Sequence, residues 1–159
     1  MNEEFTIENF RLQRQKKNFQ IVHLASYGSF LDGDADKAFS LLWDKKMGLK
    51  EFEQLGLEQS PLELLVLSIA NTGIDKDKKS KFGLAGRAIQ LGTKSVLATL
   101  WGASDEALVT LMTEFYKQLK TAPTKSEALR QAQISLLKRG ERFDHPAYWA
   151  GLTIIGNPW

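Results

Sequence analysis

The sequence predicts an α/β fold with a largely parallel sheet flanked by helices. Three observations predict it. Leu64-Leu65-Val66-Leu67 is a continuous apolar run that follows Pro61 and ends in the small polar loop 68–73. A strand with one wet face alternates, so an uninterrupted run suits a central strand covered on both sides, and this run is too short for a typical helix. Residues 93–101, TKSVLATLW, form a second buried run. Segments of helical spacing lie between and after these runs, and such alternation of strand and helix is the pattern of parallel α/β sheets.

The chain has 159 residues, with 43% apolar and 25% charged, which fits one domain with a real core. Its net charge of +2 is too small to argue for nucleic acid. No apolar run reaches the ~20 residues needed to cross a bilayer. The start, MNEEFTIENF, is too acidic and polar for a secretory signal. These features predict a cytoplasmic protein without a membrane partner. There is no cysteine, so disulfides, thiolate metal sites and a cysteine nucleophile are excluded, and only His23 and His145 supply imidazoles. No metal and no cofactor are expected.

In chain order, residues 6–17 read as a short helix capped by Thr6, with Ile7 and Phe10 on one face. Residues 19–26, FQIVHLAS, read as a strand apolar on both faces, as a buried strand is, with Tyr27-Gly28 at its exit. Between Gly33 and Gly48 the run AFSLLW reads as a short strand. Residues 49–55 give one or two helical turns, and 62–69 the central strand. The charged run IDKDKKSK reads as a solvated loop, with an acidic partner or a lid as the sharper alternative. Residues 82–92 read as a helix ended by Gly92, whose Gly83, Ala85, Gly86 and Ala88 allow close approach to the sheet. The glycine spacing of GLAG does not fit a dinucleotide fingerprint. Ser104 caps a helix to about Lys120, with Asp105 and Glu106 at its positive end. Its stripe Leu108, Leu111, Met112, Phe115 and Leu119 reads as core. Thr124-Lys125-Ser126-Glu127 has capping-box spacing and opens a helix to about Arg139, with Gly140 beyond. Residues 148–155, YWAGLTII, read as the last strand.

At this point several motifs align with one family. His23-Leu24-Ala25-Ser26-Tyr27-Gly28 stands where the CHAT domain family reads roughly His-Leu-Ala-Thr-His-Gly. Leu67-Ser68-Ile69-Ala70-Asn71-Thr72-Gly73 stands where it reads Leu-Ser-Ala-Cys-Glu-Thr-Gly. Further matches run in order through Gly83-Leu84-Ala85, residues 95–101, Phe115-Tyr116, residues 128–133, His145-Pro146, Tyr148-Trp149-Ala150 and Gly156-Asn157-Pro158. The chain thus resembles the CHAT domain, a caspase-like peptidase fold related to caspases and separases. The resemblance implies a three-layer sandwich with strands 20–26, 63–69 and 95–101 as parallel neighbours and 148–155 beyond them. It also implies a single domain over 1–159, corresponding to the C-terminal portion of the family's full domain. The strand and helix units that usually precede the segment matching 6–10 are absent, which leaves strand 20–26 at an edge. Such edges recruit other chains, and a homo-oligomer through 20–26 is one expectation.

Two departures bear on function. The family's catalytic histidine falls on Tyr27 and its cysteine on Ala70. In active members a thiolate attacks the scissile carbonyl and an imidazole handles the protons. Ala70 has no attacking atom, and a tyrosine with an ordinary pKa near ~10 is a poor base at neutral pH. Ser68 and Thr72 flank Ala70, but His23 lies roughly 13 Å before Tyr27 along the strand, too deep to serve them. The expected function is therefore a catalytically inactive pseudopeptidase that binds a protein or peptide. Asp105 matches the acidic residue of relatives that cut after basic residues, so it is a candidate partner for Arg or Lys. The alternative for Asp105 is simple stabilisation of its helix terminus. Asn71 offers a neutral hydrogen-bonding group, and Gly28 a backbone N–H. One alternative function is an inactivated form or fragment of a cysteine endopeptidase, although a laboratory change of cysteine to alanine does not explain Tyr27. The other is a non-peptidase α/β ligand-binding domain, which lacks a phosphate loop of recognisable spacing.

Overall fold

The computed structural model describes residues 2–29, 39–69, 83–102, 104–140 and 142–159. Its main sheet has four strands: β1 (Ile21–Ser26), β5 (Leu64–Ile69), β6 (Ser95–Thr99) and β7 (Leu152–Gly156), in that order. β1, β5 and β6 are parallel and β7 is antiparallel to β6. A small antiparallel sheet is made by β2 (Gly28–Ser29), β3 (Phe39–Leu41) and β4 (Lys46–Met47). The helices are α1 (Ile7–Lys16), α2 (Leu49–Glu53), α3 (Gly83–Gln90), α4 (Asp105–Gln118), α5 (Lys125–Leu137) and α6 (Pro146–Trp149).

Side-chain alternation along β5 divides the interior in two. Leu65, Leu67 and Ile69 join Val96, Ala98 and Leu24 in a core closed by Ile7 of α1, Phe52 of α2 and Leu84, Ala85 and Ala88 of α3. Leu64 and Val66 join Leu97 in a core closed by Leu111, Met112 and Phe115 of α4 and Leu129, Ala132 and Leu136 of α5. This is the three-layer arrangement expected from the continuous apolar run. Burying a large aliphatic side chain stabilises by about 1.5–3 kcal/mol, so β5 alone anchors both layers.

Local signals account for the helix ends. Thr6, Ser104 and Thr124 each accept a hydrogen bond from the backbone N–H three residues on, as N-caps do. The capping box at Thr124 is only half made. The Glu127 carboxylate is held forward by Arg130 and Gln131, which pull its pKa down to about 2. Gly92 and Gly140, with φ of 95° and 92°, follow α3 and α5 in the left-handed conformation that stops a helix.

Two expectations require correction. Residues 148–155 are not one strand. His145 accepts from the Ala147 N–H and Pro146 sits at the first helical position, so 146–149 turn as α6 and the strand starts at Leu152. Strand 20–26 is not buried on both faces either. Ile21, His23 and Ala25 are exposed and only Leu24 is fully buried, because α4 lies over β5 and β6 and meets β1 mainly through Tyr116 and His23. The run AFSLLW forms a strand over its central part, Phe39–Leu41.

The Thr124 cap can be tested directly. Thr124→Ala is expected to cost about 1 kcal/mol. Thermal unfolding would show this as a Tm lower by about 2–4 °C, and Thr124→Ser should be nearly silent.

Candidate functional site

Because β1, β5 and β6 are parallel, their carboxyl ends lie side by side, the position where open α/β sheets gather ligands. Ser26 pairs with Ile69 there. Tyr27 follows Ser26 and is 66% exposed. Its carbonyl accepts from the Leu41 N–H at 2.8 Å, and the Ser26 hydroxyl donates to the Leu41 carbonyl. The small sheet is thereby tied to the end of β1.

Gly28 is buried in this junction. A Cβ at Gly28 would overlap the Ile69 side chain and the Phe39 carbonyl oxygen. Glycine is therefore required for the ends of β1 and β5 and the small sheet to come together, a steric role separate from any N–H it offers a ligand. Ala70, Asn71 and Thr72 lie outside the described residues, and so does the spacing between Tyr27 and Ala70. The end of β5 is described as far as Ile69. Its carbonyl accepts from the buried Thr99 hydroxyl at 2.7 Å, and the same hydroxyl lies 3.3 Å from the Leu67 carbonyl. Thr99 thus fixes the strand end from which residue 70 departs. In the sequence it reads only as part of a strand, and its polarity within LATLW was the available signal.

The imidazoles are engaged elsewhere. His23 pairs with Val66, two residues before Ser68, and so sits roughly 7 Å from it along the sheet. Its Nδ1 is 3.1 Å from the Tyr116 hydroxyl, and the two rings are tilted at 5.8 Å between centroids. Partial burial against α4 lowers the His23 pKa, although the residue keeps an exposed edge, and raises that of Tyr116. His145 caps α6 through Nδ1. Neither imidazole has a hydrogen bond to a candidate nucleophile among the described residues.

Asp105 is the exposed first residue of α4, beside its cap Ser104. Next to it, past the end of β6, an open cleft of about 430 Å³ is lined by Gly102, Ser104, Arg142, Asp144, His145 and Tyr148. Arg142, one of these, pairs with Glu106 of α4. Asp105 itself does not line this cleft. Trp101 closes the side toward α6, its indole N–H donating to the Ala147 carbonyl at 3.2 Å with Gly151 against the ring. The sequence reading missed the cleft because its residues come from two segments some forty positions apart. Among the described residues no cluster of acidic, histidine or cysteine side chains could hold a metal ion. No helix among them is long and apolar enough to cross a membrane.

Two measurements probe this arrangement. Thr99→Val should leave buried carbonyls short of a donor and cost about 1–3 kcal/mol, with amide exchange at Ile69 accelerated more than at Leu65. His23 has a pKa lowered by burial, so the stability tied to its neutral form is complete above the unfolded value near ~6.5 and is lost as pH falls through the lower folded value. The Tm of the wild type should therefore fall more between neutral pH and pH of about 5 than that of His23→Gln, measured by fluorescence at low protein concentration.

Comparison with known proteins places this geometry in context. A model of the CHAT domain matches residues 1–157. No curated protein matches the chain.

Proposed function

The chain belongs to the CHAT domain family, a caspase-like, peptidase-related family, and from that premise we propose that it is a member without proteolytic chemistry that works as a protein-binding or scaffold module. One observation carries the proposal. Both positions of the family's dyad hold side chains that cannot do the work, Tyr27 for the imidazole and Ala70 for the thiol. Acyl transfer needs a nucleophile whose proton is accepted by a base and later returned to the leaving amine. A methyl group offers neither electrons nor a proton. The Tyr27 side chain, two-thirds exposed, is a phenol and not the imidazole that such proton transfer uses.

The surroundings support binding without turnover. The junction of Tyr27, Gly28 and Ile69 keeps the strand ends packed, and Thr99 holds the end of β5. The exposed side chains of Tyr27, Leu41 and Trp43 lie along this end, and aromatic groups of this kind are common in protein interfaces. Asp105, at 104–106 beside a cleft that also carries Arg142 and Asp144, is the group we assign to an Arg or Lys side chain of the bound segment. No nucleic acid, membrane, metal or cofactor is part of this reading, and a cytoplasmic setting goes with it.

Peptides ending in Arg or Lys should not be hydrolysed above background, and a thiol-directed acyloxymethyl ketone should leave the protein mass unchanged. Ala70→Cys alone should remain inactive, because the thiol keeps a pKa near ~8.5 and lacks a general acid. The combination of Ala70→Cys with Tyr27→His should restore alkylation by the ketone. Cleavage by the unmodified chain that disappears in Ser68→Ala or Thr72→Ala would overturn the proposal.

A further inference from the structure

The outer edge of β1 goes beyond that reading, because it does not depend on the dyad. Its hydrogen-bonding phase follows from the ladder. The Gln20 carbonyl accepts from the Leu64 N–H at 3.2 Å. In a parallel pair the groups of successive residues point alternately to one neighbour and the other. Val22, Leu24 and Ser26 therefore face β5, while Ile21, His23 and Ala25 turn their N–H and C=O groups outward. β5 has the same phase, since the carbonyls of Leu67 and Ile69 point toward Thr99 of β6. Among the described residues no strand pairs with the outer side of β1 over 21–25. The free stretch ends at Tyr27, whose carbonyl is taken by Leu41.

The same residues that turn their backbone outward also expose their side chains. Ile21 is 40% exposed, and His23 and Ala25 are exposed as well. Protein edges are usually protected by lysine, proline, a bulge or a covering element. The stretch 21–25 carries no charged side chain and no proline. It is also symmetric about its centre, with three outward residues evenly spaced and His23 in the middle.

We infer that this edge pairs with β1 of a second copy of the chain, antiparallel, about a two-fold axis at His23. In this register Ile21 lies opposite Ala25 of the second copy and His23 opposite His23. Each of these is a hydrogen-bonded pair in which both bonds are exchanged, so every outward group of the stretch is satisfied. The two-fold closes the assembly at two copies, whereas a parallel addition would leave a new free edge each time. Ile21 packs on the small Ala25, and the two imidazoles meet on the face lined by Tyr116 of each α4.

Sedimentation of the full chain from low micromolar to about 100 µM should show a monomer–dimer equilibrium. Over the same range, amide exchange at Ile21, His23 and Ala25 should slow, while exchange at Val22 and Leu24 should stay slow throughout. His23→Lys and His23→Glu place like charges opposite one another and should each weaken dimerisation about fivefold or more. Mixing the two variants should restore it, because unlike charges then face each other. Circular dichroism reports whether the variants fold, and if either does not, the exchange pattern of the wild type decides. A chain that stays monomeric throughout, exchange that is independent of concentration, or a mixture no better than its components would overturn the inference.

Discussion

The double burial of β5 is the constraint on which the rest of the molecule depends. Leu64 and Val66 face one helical layer, and Leu65, Leu67 and Ile69 face the other. Since all of these side chains are essentially inaccessible, a shift of the strand by one residue would exchange the two sets and unmake both cores at once. That fixed register sets Ser26 beside Ile69 and Ala98 beside Leu67. The position of every residue at the carboxyl end of the sheet follows from it.

The interior was more legible than the ends. Runs such as LLVL and SVLAT announce buried strands because burial on two faces leaves no alternation to misread. Stripes such as Leu111, Phe115 and their neighbours announce the helices. Residues 148–155 were harder, since an apolar run looks alike in a strand and in a packed helical turn. Pro146 with His145 before it was the overlooked sign of the turn. The exposure of Ile21 and Ala25 could not be read locally at all, because it depends on where α4 lies relative to β1. The candidate site was legible in part. Tyr27, Gly28 and Asp105 are placed at the carboxyl ends of strands or just past them, whereas the roles of Thr99 and of the cleft at Arg142 and His145 arise from contacts between distant segments.

Gly28, a candidate binding residue in the sequence, belongs to the frame of the molecule. Its lack of a side chain lets Ile69, Phe39 and Ser40 close against the backbone. That steric constraint holds whatever chemistry the neighbouring positions carry. Thr99 likewise belongs to the frame, its hydroxyl hydrogen-bonded to the main chain of β5.

The order of the sheet, β1-β5-β6-β7, repeats the order of the chain, and this has a kinetic meaning. Ile21 pairs with Leu64, more than forty residues later in the chain. Closing a loop of that length costs entropy before any contact compensates it. The antiparallel pair α4 and α5, joined by a short connection and packed face to face, can form from local contacts alone. During synthesis β1 therefore leaves the ribosome well before β5, the strand it pairs with. Until β5 follows, Leu24, buried in the finished fold, lacks the Leu65 and Leu67 side chains that share its core.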